Sequence, residues 1–303
     1  MKKKLLLIGG SGFVGTHMSS ALSEDFEVAS PGPEIDVRNA ELMKSLVADE
    51  KPDYLVHLAA VTTLGESFAK QSETYDINFG GVFNVLMALR ESHFTGRMLY
   101  VSSSEVYGLL AESELPVSEK RLPKPLSPYA VSKIAAEALC YQWSQTEDFE
   151  IVTARPFNHI GPGQSERFAI ADFARQIVAI KRGLAATVIN VGDIDTTRDF
   201  TDVRDVVGAY SSLLISGKNG EVYNVCSGVE RTIRSLIERM CDLAGVSVEL
   251  RMDSARFRAN EQRRVCGSSA KLVADTGWNP HFAIDQTLSD IVESSGPFKG
   301  ANH

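Results

Sequence analysis

Apolar positions fall in short blocks through the first half of the chain, each followed by a stretch with helical spacing. Leu5–Ile8 is an unbroken apolar run, and Glu27–Ala29, Tyr54–Leu58, Met98–Ser102 and Ile151–Ala154 repeat it. Such runs, bounded by glycine and polar residues, predict buried strands. Between them, helices are predicted over Phe13–Ser23, Glu41–Asp49, Tyr75–Glu91 and from Pro128 to Gln145. For the last, Ser127 is placed to cap the first turn and Pro128 to occupy it. Strands and helices alternating at this spacing predict an α/β fold with a doubly wound parallel sheet, helices on both faces.

Beyond Pro156 the pattern loosens. Gly161-Pro162-Gly163 breaks the chain; helices are predicted over Phe168–Lys181, Val203–Ile215, Ile233–Ala244, Ser269–Thr276 and Ile284–Val292. Strands are expected at Thr187–Val191, Val222–Val225 and Val246–Arg251. This predicts a smaller mixed α/β region over the C-terminal edge of the sheet, where open α/β sheets bind ligands. The expected division is a dinucleotide-binding region over 1–160, to which the chain returns around 199–226, and a substrate region over 161–198 and 227–293. The tail 294–303 is expected to be mobile.

Composition narrows the classes. At 303 residues with 44% hydrophobic and 23% charged positions, the chain is an ordinary globular protein. Its net charge of -8 argues against broad nucleic-acid or anionic-membrane binding. Cys140, Cys226, Cys241 and Cys266 are too widely spaced for a zinc site or disulfide framework, which favours reduced thiols and a cytoplasmic protein. The start Lys2-Lys3-Lys4 with four apolar residues superficially resembles a signal peptide, but the run is too short and reads better as a first strand. The histidines show no metal-ligand spacing, so no metal is expected.

Candidate chemistry begins at Gly9-x-x-Gly12-x-x-Gly15, directly after the first strand and opening a helix. Glycine allows a tight turn and close backbone approach, and a helix N-terminus offers free N–H groups to a pyrophosphate. Phe13 and Val14 lie within this turn. The second strand ends in Ala29-Ser30-Pro31-Gly32-Pro33, with neither the acid that favours NAD nor an Arg for a 2′-phosphate, so NAD and NADP both stay open. Asp36-Val37 follows, either as a neighbour of the adenine or as a solvated loop. Leu58-Ala59-Ala60 provides small residues at a strand end, suited to a flat cofactor or to core packing.

Tyr129 and Lys133, four residues apart, share one helix face. The Lys charge is expected to lower the Tyr pKa and make the phenol a usable proton donor or acceptor. Alone such a pair is a surface feature. After a Gly-rich turn and the cluster Ser102-Ser103-Ser104-Glu105-Val106-Tyr107-Gly108, it points to a nicotinamide-dependent enzyme.

Together with His57-Leu58-Ala59-Ala60, Asn78, Arg155-Pro156-Phe157-Asn158, Arg198-Asp199-Phe200-Thr201-Asp202-Val203 and Gly277-Trp278-Asn279-Pro280, these motifs resemble the extended short-chain dehydrogenase/reductase family over nearly the whole chain. The resemblance implies a Rossmann-type sheet and a catalytic set of Ser103, Tyr129 and Lys133. In it Tyr129 exchanges a proton with a sugar hydroxyl or ketone, Lys133 holds the nicotinamide ribose, and Ser103 bonds the reacting oxygen. Within the family, Arg155–Gln164 and Ser102–Gly108 look like the GDP-sugar branch. This implies NAD(P)H-dependent reduction of the C4 ketone of GDP-4-keto-6-deoxy-D-mannose to GDP-D-rhamnose, a surface-polysaccharide precursor.

By the same resemblance Ser104 and Asn158 meet the substrate, Arg198 and Arg258 clamp phosphate or ribose, Glu261 is a polar partner at the nucleotide, and Lys181 lies near the base. Either Arg alone would read more readily as a surface or interdomain salt bridge. GDP-mannose 4,6-dehydration is the rival, since Glu105 stands where such enzymes need a base. A UDP-sugar epimerase and a non-catalytic sugar-nucleotide-binding protein are further alternatives. Family members pair the Tyr129 helix and its neighbour into a four-helix bundle, which implies a homodimer. Asp199, Asp202 and Asp205 read as helix-start and loop residues around Arg198 and Arg204.

Overall fold

The computed structural model describes residues 2–253 and 262–295. The chain opens with β1 (Lys3–Ile8), α1 (Phe13–Leu22), β2 (Phe26–Ala29), α2 (Ala40–Glu50) and β3 (Tyr54–His57). Next come α3 (Leu64–Ala69), α4 (Gln71–Tyr75), a π-helical turn at Asp76–Gly80, α5 (Gly81–Glu91) and β4 (Arg97–Val101). A 3₁₀ turn at Ser104–Tyr107 precedes α6 (Pro128–Thr146) and β5 (Glu150–Pro156). The remainder runs β6 (Asn158–Ile160), α7 (Ala169–Lys181), β7 (Val188–Val191), β8 (Thr197–Asp202), α8 (Val203–Ser216), β9 (Val222–Val225), β10 (Glu230–Thr232), α9 (Ile233–Ala244), β11 (Glu249–Met252), α10 (Ala270–Thr276) and α11 (Ile284–Ser294).

Six strands form one sheet in the order β2-β1-β3-β4-β5-β9, with every pairing parallel. The alternation within β1 shows why both faces are covered. Leu5 and Leu7 pack with Met18 of α1 and Val206, Tyr210 and Leu213 of α8. Leu6 and Ile8 point the other way, to Met43 and Val47 of α2, Val85 and Leu86 of α5 and Ala136 of α6. Each fully buried aliphatic side chain contributes about 1.5–3 kcal/mol. Leu5 through Ile8 are wholly buried within this strand.

A third core lies among α7, α9 and α11, including Phe173, Ile177, Ile237, Met240 and Leu288. Here β8 sits between antiparallel β10 and parallel β6, and β7 pairs with β11. The short strands β6, β8 and β10 are not anticipated by the apolar pattern. All four cysteines are free and buried. Among the described residues no helix is long and apolar enough to cross a membrane.

The helix expected over Tyr75–Glu91 differs in detail. It begins at Gln71 and contains the π turn, in which Asn78 is buried. The Asn78 amide accepts from the Val61 N–H at 2.8 Å and donates to the Val61 carbonyl at 3.1 Å and to Ser132 Oγ at 3.0 Å. Those three bonds favour a widened turn that aims the side chain across to α6. The 294–303 tail lies outside the described residues from 296 onward.

Candidate active site

The order of the sheet reverses between β1 and β3, the crevice where ligands enter such folds. Gly9 lies there with φ +84°, and a Cβ on it would stand 2.6 Å from the Ala59 backbone nitrogen. A Cβ on Gly15 would meet the Gly10 carbonyl oxygen at 2.4 Å. The turn therefore closes onto α1 only without side chains at these two positions. Gly12 caps α1 with no side chain, so no side-chain oxygen takes up the N–H groups of its first turn, near Phe13 and Val14. This cradle fits the pyrophosphate of a dinucleotide.

Leu58 and Ala59 donate their N–H groups to the Ile8 carbonyl, at 2.8 and 3.0 Å, so Leu58, Ala59 and Ala60 form the wall opposite Gly9. Phe13 stacks on His159 with ring centres 6.1 Å apart, and His17 contacts the Pro162 carbonyl at 2.9 Å. The glycine turn is thus stitched to the Asn158–Pro162 segment. Asp36 is locked in a bidentate pair with Arg38 (2.9 and 2.6 Å), which lowers its pKa. The Val37 side chain is buried against Gly81.

Strand β4 and helix α6 bring the central residues together. Ser127 accepts from the Ala130 N–H at 3.1 Å and Pro128 begins the helix, as the sequence predicts. Tyr129 and Lys133 then face the end of β4. Ser103 and Glu105 both stand near enough to Tyr129 to act on its phenol. Ser103 Oγ also accepts from the Glu105 N–H at 3.2 Å, which fixes the 3₁₀ turn holding Ser104 and Glu105. Lys133 donates to the Val101 carbonyl at 2.8 Å.

The electrostatics correct one expectation. Burial pushes the Tyr129 phenol up to about 12, Ser103 opposes this, and Glu105 adds to it. Lys133 does not lower it, because its ammonium turns to Val101 and stands 5.9 Å from the Tyr129 ring centre. Burial brings Lys133 itself down to about 8, against the opposing charge of Glu137.

The remaining candidates lie toward the smaller region. Asn158, exposed at the start of β6, pairs with Phe200 of β8. Arg198 on β8 donates to the Thr197 carbonyl at 2.8 Å and stands opposite Arg231 of β10. Lys181 is exposed at the end of α7. Arg258 and Glu261 lie outside the described residues.

Of the three aspartates, Asp205 lies in the first turn of α8 and Asp202 fits the helix-start reading most fully. It caps α8 and pairs with Arg204 at 2.7 Å. Asp199 is wholly buried and accepts from the N–H groups of Ser227, Gly228 and Gly267 and from Ser227 Oγ. Asp205 accepts from the N–H groups of His281 and Phe282. Both are staples between distant segments. A hollow of about 710 Å³ lies at the opposite end of the sheet, lined by Lys3, Tyr54 and Arg97, and contains none of the site candidates.

A glycine-rich switch point facing a buried Ser–Tyr–Lys set is matched by the comparisons with known proteins. The family model described as GDP-mannose 4,6 dehydratase matches residues 33–291. A GDP-6-deoxy-D-mannose reductase from Pseudomonas aeruginosa is 48% identical, covering 96% of this chain and 97% of that protein. This chain belongs to the extended short-chain dehydrogenase/reductase family. Two further proteins are similar over nearly the whole chain. A GDP-6-deoxy-D-talose 4-dehydrogenase from Aggregatibacter actinomycetemcomitans is 27% identical over 92% of this chain and 93% of its own. Among solved structures, RMD from Pseudomonas aeruginosa, complexed with NADPH, superposes with a TM-score of 0.92 at 46% identity, covering 97% of this chain and 99% of that one.

Proposed function

We propose that this protein reduces the C4 ketone of GDP-4-keto-6-deoxy-D-mannose to GDP-D-rhamnose, with NADPH as coenzyme. The carrying observation is that Ser103, Tyr129 and Lys133 are all buried at the end of β4, in a chain 48% identical to a GDP-6-deoxy-D-mannose reductase. The relative complexed with NADPH supports the choice of coenzyme, and Ala29-Ser30 at the end of β2 offers no acid to repel a 2′-phosphate.

Gly9, Gly12 and Gly15 admit the pyrophosphate to the N-terminus of α1, with Phe13 and Val14 beside it. Asp36, Val37 and Leu58–Ala60 line the adenosine and nicotinamide sides. When bound, the reduced nicotinamide supplies a hydride to C4. Ser103 holds the ketone oxygen, and Tyr129 gives it a proton as charge develops there. A phenol near 12 stays protonated at neutral pH, so Tyr129 is loaded as a donor to a more basic alkoxide. Lys133 holds the nicotinamide ribose.

The substrate region takes the GDP-sugar, over 161–198 and 227–293, while 1–160 and 199–226 hold the coenzyme. Asn158 meets the pyrophosphate, Arg198 and Arg258 clamp phosphate or ribose, and Glu261 is a polar partner at the nucleotide; Ser104 lies at the sugar and Lys181 near the base. An Arg fork suits a diphosphate because it donates in a plane and in pairs. Exposed Phe79, Phe83, Val131 and Tyr141 on the α5 and α6 side support a homodimer through those helices. Free, buried cysteines favour a cytoplasmic protein, and the product would feed lipopolysaccharide or another surface polysaccharide.

Glu105 and the name of the matching family model support a second reading, dehydration of GDP-mannose with Glu105 as the base at C5. The two are separated by offering the keto sugar with NADPH and, in parallel, GDP-D-mannose with NADP. Oxidation of NADPH only with the keto sugar supports the reductase; appearance of the keto sugar from GDP-D-mannose supports the dehydratase.

A further inference from the structure

Glu137 and Arg155 form a buried pair that the proposed mechanism does not use. Each side chain is about as buried as the core, at 5% and 6% exposed. Arg155 grips the carboxylate with two prongs, Nε to Oε1 at 2.9 Å and Nη2 to Oε2 at 2.6 Å. Ser102 Oγ donates to the same Oε1 in a short bond. Glu137 follows Lys133 by one helical turn and Tyr129 by two, so all three lie along one stripe of α6.

We infer that Glu137 is a positioning residue for the active site. Its carboxylate, held by Arg155, fixes the backbone at Ser102 and with it Ser103, and supplies the counter-charge beneath Lys133. The inference rests on the reductase reading and adds to it.

Stability alone does not account for the pair. Desolvating two charges roughly cancels their attraction, and apolar residues of similar volume commonly replace such pairs without loss. What an apolar pair could not reproduce is the link it makes. Ser102 is the first residue beyond β4 and the neighbour of Ser103, so its bond to Glu137 sets where the Ser103 hydroxyl stands relative to α6. On its other side, the Arg155 guanidinium lies 4.9 Å above the Tyr107 ring, and Tyr107 donates to Asn224 at 2.7 Å. Asn224 in turn donates to the Val117 carbonyl at 3.0 Å. The floor of the site is thereby tied to the loop that leaves the 3₁₀ turn.

Charge supplies the second half of the argument. The titratable groups facing Lys133 are Tyr129, Glu137 and Cys140 on α6, Tyr100 on β4 and His57 on β3. Burial raises Tyr100 and Cys140 and so keeps them neutral, and burial lowers His57 to about 3, neutral as well. Of these groups Glu137 is the anion. Burial pulls the Lys133 proton away and the Glu137 charge retains it.

The test is the pH dependence of turnover in Glu137→Gln, which keeps the shape and removes the charge. Because that variant strands the Arg155 charge, Glu137→Gln/Arg155→Met is measured beside it, with thermal melts confirming that each is folded. In the folded variants the alkaline limb of kcat should move down by roughly one pH unit, with the plateau lowered roughly tenfold. The same limb is read without the sugar from the pH dependence of NADPH affinity. If wild-type protein binds NADPH but does not reduce the keto sugar, the reductase reading fails while the affinity profile still decides the role of Glu137. Folded variants whose limb stays at the wild-type position, in either profile, would overturn the inference and leave the pair purely structural.

Discussion

The Lys133 ammonium is anchored 2.8 Å from the carbonyl of Val101, the last residue of β4, rather than to the phenol of Tyr129. A cation so placed, 3% exposed, is held at a cost to folding. Its pKa falls from 10.5 in the unfolded chain to about 8 when folded. Between those values the unfolded chain binds more protons, so this group makes stability rise as pH increases from about 8 towards 10.5. Below about 8 the full penalty is present.

Lys133→Met should therefore raise stability at neutral pH, by an amount of order 1–3 kcal/mol, while nearly abolishing turnover. Urea titration at neutral pH checks the first part. A variant less stable than the native protein would show that the Val101 bond outweighs the burial of charge.

Tyr129→Phe removes the hydroxyl beside Ser103, and leaves the capped start of α6 intact. Turnover should fall roughly 10²–10⁴-fold while NADPH affinity changes little. Comparable loss of both, measured by single-turnover kinetics and fluorescence titration, would make the residue structural.

Gly15→Ala would place a methyl group 2.4 Å from the Gly10 carbonyl oxygen. Backbone on both sides leaves little room to relax, so the variant should lose about 1–3 kcal/mol of stability. Coenzyme affinity should fall with it, because the same shift opens the cradle at the start of α1. Unchanged NADPH binding in a destabilised variant would separate the turn from the coenzyme.

Asp199→Ala strands the N–H groups of Ser227, Gly228 and Gly267. A loss of at least about 2 kcal/mol is expected. Since Asp199 adjoins Arg198 on β8, KM for the GDP-sugar should rise more than KM for NADPH. An equal rise in both would detach this staple from substrate binding.

The parts of the fold that announce themselves in sequence are those driven by apolar burial. Leu5–Ile8 alternates between two cores, and Ser127-Pro128 states the start of α6 in its own chemistry. The strands β6, β8 and β10 do not announce themselves, because polar side chains are buried on β8: Asp199 and Asp202 are held inside by hydrogen bonds, with Thr201 buried between them. Their partners come from as far away as Thr287, which bonds Asp202 at 2.6 Å. The π turn at Asn78 is equally silent, as it answers to Val61 and Ser132. Glu137 was open to sequence reasoning as the next step of the Tyr129–Lys133 stripe; its partner Arg155 on β5 was not.

The central claim is hydride delivery to C4 of the keto sugar. The direct measurement uses NADPH carrying deuterium at its transferable position, with GDP-4-keto-6-deoxy-D-mannose and purified protein in ordinary water, the product being read by NMR. The account predicts GDP-D-rhamnose with deuterium at C4 and nowhere else on the sugar. A product of talo configuration, or a sugar without deuterium at C4, would contradict it.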